Sequence, residues 1–338
     1  MELHSTFTHL TGHIPSLEEA AVQEFAANLR GELLRPEDDG YDAARAVFNG
    51  MIDRHPALLA RCAGVADVIR GVNFARTHNL GLSVRGGGHS VAGNAVCDGG
   101  VMLDLSSMKG MRVDPVRQTA EAQAGLTLGE FDLETQEIGL ATTLGVVSMT
   151  GIAGLTLGGG LGWLNGKYGL ACDNLISADV VTADGQLLTA SAEANGDLFW
   201  GIRGGGGNFG VVTSLEYQLY PVGTVLGGGL SYPVAKAGEV LRFYHEFASE
   251  CPDELSTVAS LGIAPDGSPV VSVSVCYCGA IEEGEHVLRP LREFGSPLED
   301  GIQPMAYRTL QSAPHAGFPF GRQHYWKSSS TAQSGATS

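Results

Sequence analysis

A chain of 338 residues, 43% of them hydrophobic and 17% charged, is long enough for two domains and has the composition of a globular protein. Its formal net charge of −17 sets up a field that repels nucleic acid, and no cluster of Lys or Arg offers a local exception. No apolar run reaches the roughly 18 residues that would cross a bilayer, and the amino-terminal stretch lacks the basic start and apolar core of a secretory signal.

Six cysteines are scattered without a CxxC pair, which argues against a metal site and for a reducing, cytoplasmic setting. Glycine is the unusual component: 48 residues, about twice the usual share. Backbone in such a chain can bend sharply or come close to something, as in tight hairpins or around a large ligand gripped by main-chain N–H groups.

In chain order, residues 16–30 read as a helix, with Ser16 as N-cap and Glu19 at the capping-box position. Residues 65–79 form a second amphipathic helix, with Val65, Val68, Ile69, Val72 and Ala75 along one face. A short strand, "GLSV", runs straight into the glycine loop "RGGGHS" at 85–90. Residues 100–106 and 111–125 read as strands, with a turn at Asp114-Pro115, and 127–139 as a helix. The densest glycine region follows, 145–174, and then a hairpin around Asp184-Gly185. Residues 196–222 give a short helix, a glycine loop and an alternating strand.

Beyond residue 222 strands and helices alternate, as in an α+β lobe. Cys276 and Cys278 sit at period two on one side of a strand and read as packing. The small, polar residues 330–338 are expected to be disordered.

Two motif matches fail on context. "GGGNFG" at 205–210 spells G-x-G-x-x-G, but a strand follows where the dinucleotide fingerprint requires a helix. "LGWLNGKYG" has Leu161 in place of the first P-loop glycine and Tyr168 where Ser or Thr would hold magnesium. The loop at 85–90 is a better anion site, because consecutive N–H groups from residues without side chains form a nest for phosphate oxygens. Arg85 adds charge there or serves a structural salt bridge. Residues 148–162 offer a second such wall, with Ser148 and Thr150 as hydroxyl donors and Gly151 and Gly154 allowing close approach. Two walls suggest a long ligand containing a diphosphate. His89, inside the first nest, is either a satisfied structural histidine or a nucleophile beside that ligand.

Residues 82–96, 142–185 and 197–222, taken in that order, resemble the FAD-binding oxidoreductases of the vanillyl-alcohol oxidase superfamily, in particular the berberine-bridge-enzyme-like branch. The similarity covers most of 30–330. It implies an α+β architecture: a PCMH-type FAD-binding domain of two small α/β subdomains at 1–222, and an incomplete α+β substrate domain with an antiparallel sheet at 223–329. It also implies that Arg85, Gly86, Gly87, Gly88, His89 and Ser90 form the pyrophosphate loop, with His89 bonded covalently to the 8α-methyl of the flavin. Ser148, Gly151 and Gly154 would supply the second backbone wall, and Val212 a backbone contact at the adenine or ribose end.

Relatives with a second flavin bond carry a cysteine where Val147 stands here, and Cys172 is no substitute. A catalytic tyrosine two residues after the histidine would fall at Val91, which cannot do acid–base work. The implied activity is hydride transfer from a C–H next to a hydroxyl or amine, with dioxygen as electron acceptor and a small molecule as substrate. Relatives continue past the strand expected at 325–329, so a shortened, catalytically silent flavin-binding chain is the alternative expectation, and no catalytic base is assigned. His324, Tyr325, Trp326 and Lys327 read as packing, with His324 and Trp326 on one side and Tyr325 and Lys327 on the other.

Overall fold

The computed structural model of the chain describes residues 17–328, so the expectations for Ser16 and for the tail 330–338 lie outside the described residues. Three principal sheets carry the architecture. The first has four strands in the order Glu32–Leu34, Leu58–Arg61, Val101–Asp104, Leu82–Arg85. The last three strands are parallel and the first is antiparallel to its neighbour. Strand Val101–Asp104 is buried along its whole length, as expected of a parallel strand covered on both faces.

The second sheet is antiparallel, with the order Met111–Asp114, Thr119–Gln123, Val211–Gln218, Leu175–Val181, Leu187–Ser191. In Val211–Gln218 burial alternates from Thr213 onward, so one face meets the core and the other is partly wet. One continuous apolar core joins these two sheets to helices Glu19–Asn28 and Val65–Thr77.

The third sheet pairs Leu255–Ile263 with Pro269–Tyr277, and that strand with Thr224–Pro233, all antiparallel. Helices Ala237–Ser249 and Ile281–Glu293 pack with it around a second core. A smaller apolar group containing Ala141, Trp163, Val225, Cys276 and Tyr307 lies where the two parts meet, with Cys278 packed at its edge.

Local chemistry explains where several elements begin. Thr127 and Glu130 form a capping box that starts helix Leu128–Gln136. The buried Asp67 carboxylate accepts hydrogen bonds from the amides of Arg30, Gly31 and Ala63 (2.8, 3.1 and 2.8 Å), tying the first helix and strand to the start of Val65–Thr77. Two expectations are corrected. The first helix begins at Glu19 behind Glu18, which makes no side-chain cap, so Glu19 is not at the third helical position of a capping box. Of the strand expected at 325–329, the described residues 325–328 are not in a strand, and just before them Arg322 and His324 hydrogen-bond to the loop at Asn49 and Gly50 rather than to a ladder.

Asp132, on Leu128–Gln136, is buried with neither carboxyl oxygen hydrogen-bonded. Burial raises its pKa to about 8, so the folded protein holds it protonated at neutral pH, whereas the unfolded chain ionises it near 4. The native state must therefore keep a proton that the unfolded chain releases, and stability falls as pH rises from about 4 to about 8 and levels off above that. Asp132→Asn should remove this slope. Urea unfolding should show a stability advantage over the parent that grows between pH 5 and pH 8, reaching on the order of a few kcal/mol; an advantage equal at both pH values would contradict this protonation state.

Candidate functional site

The strand Leu82–Arg85 delivers the chain into the turn at 86–90. Gly88 sits at φ +68°, a backbone conformation that glycine adopts without strain. Its carbonyl accepts the amide of Phe48 (2.9 Å), which fixes the turn against residues 47–49. The guanidinium of Arg85 donates to the Ala44 carbonyl and lies 3.9 Å from Asp104. Of the two roles open to Arg85, the salt bridge is the one seen. Ser90 accepts at its hydroxyl from the Asn94 amide (3.3 Å) and at its carbonyl from Gly93 (3.1 Å), which closes the far side of the turn.

The second wall is held from below. Leu128 donates to the Thr150 carbonyl (2.9 Å), Gly129 to that of Ser148 (2.8 Å), and Ile152 to that of Leu126 (3.0 Å). The capping box at Thr127 and Glu130 thus positions the wall as well as its own helix. Helix Tyr307–Ser312 braces it from the other side: the Ser148 hydroxyl donates to the Gln311 carbonyl (3.1 Å), and the Gln311 amide donates to the Gly145 carbonyl.

The two turns touch at their glycines. A Cβ on Gly87 would lie 2.4 Å from the nitrogen and 2.7 Å from the Cα of Gly151; one on Gly151 would lie 2.4 Å from the nitrogen of Gly87. Both collisions are with backbone, which no side-chain rotation relieves. The walls therefore form one continuous rim rather than two separated faces. Other glycines of the second cluster serve internal packing: a Cβ on Gly162 would fall 2.0 Å from the Leu144 carbonyl oxygen.

Gly154 is different. It lies in helix Ile152–Leu157, is exposed, and a Cβ there would meet no protein atom within 4 Å. Nothing among the described residues accounts for a helix-interior glycine that costs roughly 0.5–1 kcal/mol relative to alanine. A ligand resting against the rim would account for it.

Val212 stands near the start of Val211–Gln218 and pairs with Val180. The ladder to Thr119–Gln123 begins only at Ser214, so no strand lies on that side at Val212.

His89 lies beside the rim. Its ring stacks on Phe48, with centroids 3.8 Å apart and planes at 16°. Phe48 stacks in turn on His324 at 4.5 Å and 10°, while Phe320 and Trp326 flank His89 at 6.5 and 6.4 Å. The His89 Nε2 is buried and has no hydrogen-bond partner among the described residues. Burial, and secondarily the His324 imidazole, lower its pKa below the usual histidine value. At neutral pH the ring is uncharged and can offer a nitrogen lone pair.

Tyr325, on the other side of its segment, is 81% exposed. His324 and Trp326 share the side that faces Phe48, as the expected alternation has it, but there is no strand and Trp326 is itself 53% exposed. Val147 is buried at the edge of the wall, and burial raises the Cys172 pKa, which suppresses its thiolate.

Phe48, Asn49 and Gln311 escape sequence reasoning. Each acts on residues more than 35 positions away, and no local spacing marks them.

Residues 56–191 match a family model described as an FAD binding domain. The chain is 34% identical over 304 residues to (R)-6-hydroxynicotine oxidase of Paenarthrobacter nicotinovorans, covering 88% of this chain and 66% of that protein. It superposes on a crystal structure of 6-hydroxy-D-nicotine oxidase from Arthrobacter nicotinovorans with a TM-score of 0.82 and 34% identity, covering 87% of this chain and 66% of that one. Against berberine-bridge-enzyme-like protein 1 of Physcomitrella patens the TM-score is 0.79 at 25% identity, with 86% and 63% covered. The chain thus spans a little under two thirds of the length of these relatives. The α+β architecture described above is the one these proteins share.

Two glycine substitutions should separate packing from ligand contact. Gly87→Ala should destabilise the flavin-free protein by about 1–3 kcal/mol, because backbone must move to admit the methyl group. Gly154→Ala should stabilise it by roughly 0.5–1 kcal/mol and weaken binding of added FAD. Denaturant midpoints and FAD titration check both, and a Gly154→Ala protein that binds FAD unchanged would remove that residue from the site.

Proposed function

We propose that this chain, which belongs to the FAD-linked oxidoreductases of the berberine-bridge-enzyme-like branch of the vanillyl-alcohol oxidase superfamily, holds FAD on the glycine rim and oxidises a small molecule. The observation that carries this reading is the half-buried, uncharged His89, whose buried Nε2 is unpartnered among the described residues, set beside two glycine turns in backbone contact. The residues present fit the cofactor. Backbone N–H groups of 86–90 suit a diphosphate, the open face at Gly154 leaves room for a flat ligand, and the orphaned imidazole nitrogen has no partner among the described residues.

In this reading Arg85, Gly86, Gly87, Gly88, His89 and Ser90 surround the diphosphate, with Arg85 acting through its hold on Asp104 and Ala44. Ser148, Gly151 and Gly154 line the flavin ring, and Val212 meets the adenine or ribose end by its backbone. FAD supplies a hydride acceptor at N5 for a substrate C–H next to a hydroxyl or amine, and dioxygen takes up the electrons as peroxide. Residues up to 222 carry the cofactor and those from 223 the substrate side. The named relatives include (R)-6-hydroxynicotine oxidase and 6-hydroxy-D-nicotine oxidase, whose substrate is an amine, which supports an amine as the substrate class. Six free thiols support a cytoplasmic setting.

We further assign His89 as the attachment point of the flavin. A bound FAD would offer its 8α carbon to an imidazole nitrogen of His89, with the N–H and C–H hydrogens and their electrons passing to dioxygen as hydrogen peroxide. The protein's part is to hold the ring neutral, as burial does here, and to keep it in one orientation, as the stack on Phe48 does.

Acid precipitation of protein loaded with FAD tests this directly. A yellow pellet is expected from the parent chain and a colourless one from His89→Ala, with flavin in the supernatant. Retention of flavin by the His89→Ala pellet would overturn the attachment site. Oxygen consumption with a panel of amines, alcohols and sugars then reads the substrate class.

A further inference from the structure

Resting on the assignment of His89 above, we infer that Asn49 is a positioning residue for the flavin-attachment site: its side chain clips the loop that carries His89 to the segment 320–326, and so fixes the imidazole against Phe48. Asn49 is 2% exposed and its amide makes four hydrogen bonds. Nδ2 donates to the carbonyl of Val91 (2.8 Å) and to that of His324 (3.0 Å). Oδ1 accepts the backbone amides of His324 (3.0 Å) and Met51 (3.1 Å). The side chain therefore pairs with both backbone groups of His324, as a neighbouring strand residue would, and reaches at the same time to the loop two residues past His89.

The surrounding contacts show what the clip holds. Gly50 donates to the Arg322 carbonyl (2.8 Å) and Gly321 to that of Phe48 (3.1 Å), so residues 48–50 and 321–324 are laced together around Asn49. Phe48, next in sequence, is fully buried between the rings of His89 and His324. His324 is the titratable group facing His89 across that ring, and the partly exposed rings of Trp326 and Phe320 flank it. Releasing the clip frees both the 89–93 loop and the covering segment, and lets water reach the imidazole.

The chemistry is specific to asparagine. Aspartate lacks both donors and would set a carboxylate against two carbonyl oxygens. Glutamine is one methylene too long for a buried site that already meets four partners.

The test uses the full chain and three variants: Asn49→Asp, Asn49→Ser and His324→Phe. Covalent flavin is followed with time after adding FAD, by fluorescence of the denatured protein band. Asn49→Asp should slow attachment by about tenfold or more, since small losses of orientation carry large rate penalties. His324→Phe keeps the backbone contacts to Asn49 and should stay within about threefold of the parent. Should Asn49→Asp not fold, as judged by circular dichroism, Asn49→Ser is read in its place. Attachment at the parental rate in the folded Asn49 variant would overturn the inference.

A second readout does not depend on attachment. In the flavin-free protein, selective ¹³C labelling of histidine and an NMR titration report His89 itself, identified by its loss in His89→Ala. The parent should titrate below the usual value, and the Asn49 variant should move back toward it by about half a unit or more as the ring is wetted. An unchanged His89 titration would overturn the inference even if no flavin attaches. Failure of the parent chain to attach flavin would count against the His89 assignment alone.

Discussion

The backbone contact between Gly87 and Gly151 is the constraint on which the site depends. It joins a turn after a parallel strand of the first sheet to a turn anchored on the capped helix of the second. Neither glycine can carry even a methyl group without moving main chain. Two loops from different sheets thereby become one rim. Rigid elements stand behind both sides: Val101–Asp104 and Leu82–Arg85 on one, Leu128–Gln136 with its capping box on the other. A site so placed needs little ordering when a ligand arrives.

Beside that rim the protein keeps a histidine uncharged by half-burying it against aromatic rings, with its Nε2 out of contact with solvent. This is an expensive arrangement for a structural residue, because a buried polar nitrogen without a partner carries a desolvation cost. The cost makes sense where the nitrogen is to meet something that the protein itself does not supply. Asn49 and Gln311 play parallel parts on the two sides of the rim. Each is buried, each uses a side-chain amide to hold backbone carbonyls, and each ties a glycine turn to a segment more than 150 residues away.

Much of the frame is legible in the amino-acid sequence, and the reasons are physical. Helix Val65–Thr77 follows from its apolar face, the hairpin at 182–185 from Asp-Gly, and the failure of "GGGNFG" as a dinucleotide fingerprint from the alternation of Val211–Gln218. The loop at 85–90 and the wall at 148–154 were readable as two glycine-rich surfaces, and their order along the chain pointed to flavin-binding relatives. Their direct contact was not readable, because nothing local to Gly87 encodes Gly151. The strand Thr224–Pro233, central to the third sheet, was hidden by three consecutive glycines that disguise its period. The roles of Phe48 and Asn49 were hidden for the opposite reason: "FNG" is an ordinary turn sequence, and only the return of residues 320–326 gives it work.

The central claim is that the rim grips a diphosphate and not merely a flat ring. Calorimetric titration of the His89→Ala protein, in which binding stays reversible, with FAD, FMN and riboflavin tests it most directly. The account predicts that FAD binds at least about tenfold more tightly than either smaller flavin, a gap of roughly 1.4 kcal/mol or more. Equal affinity for FAD and riboflavin would contradict it.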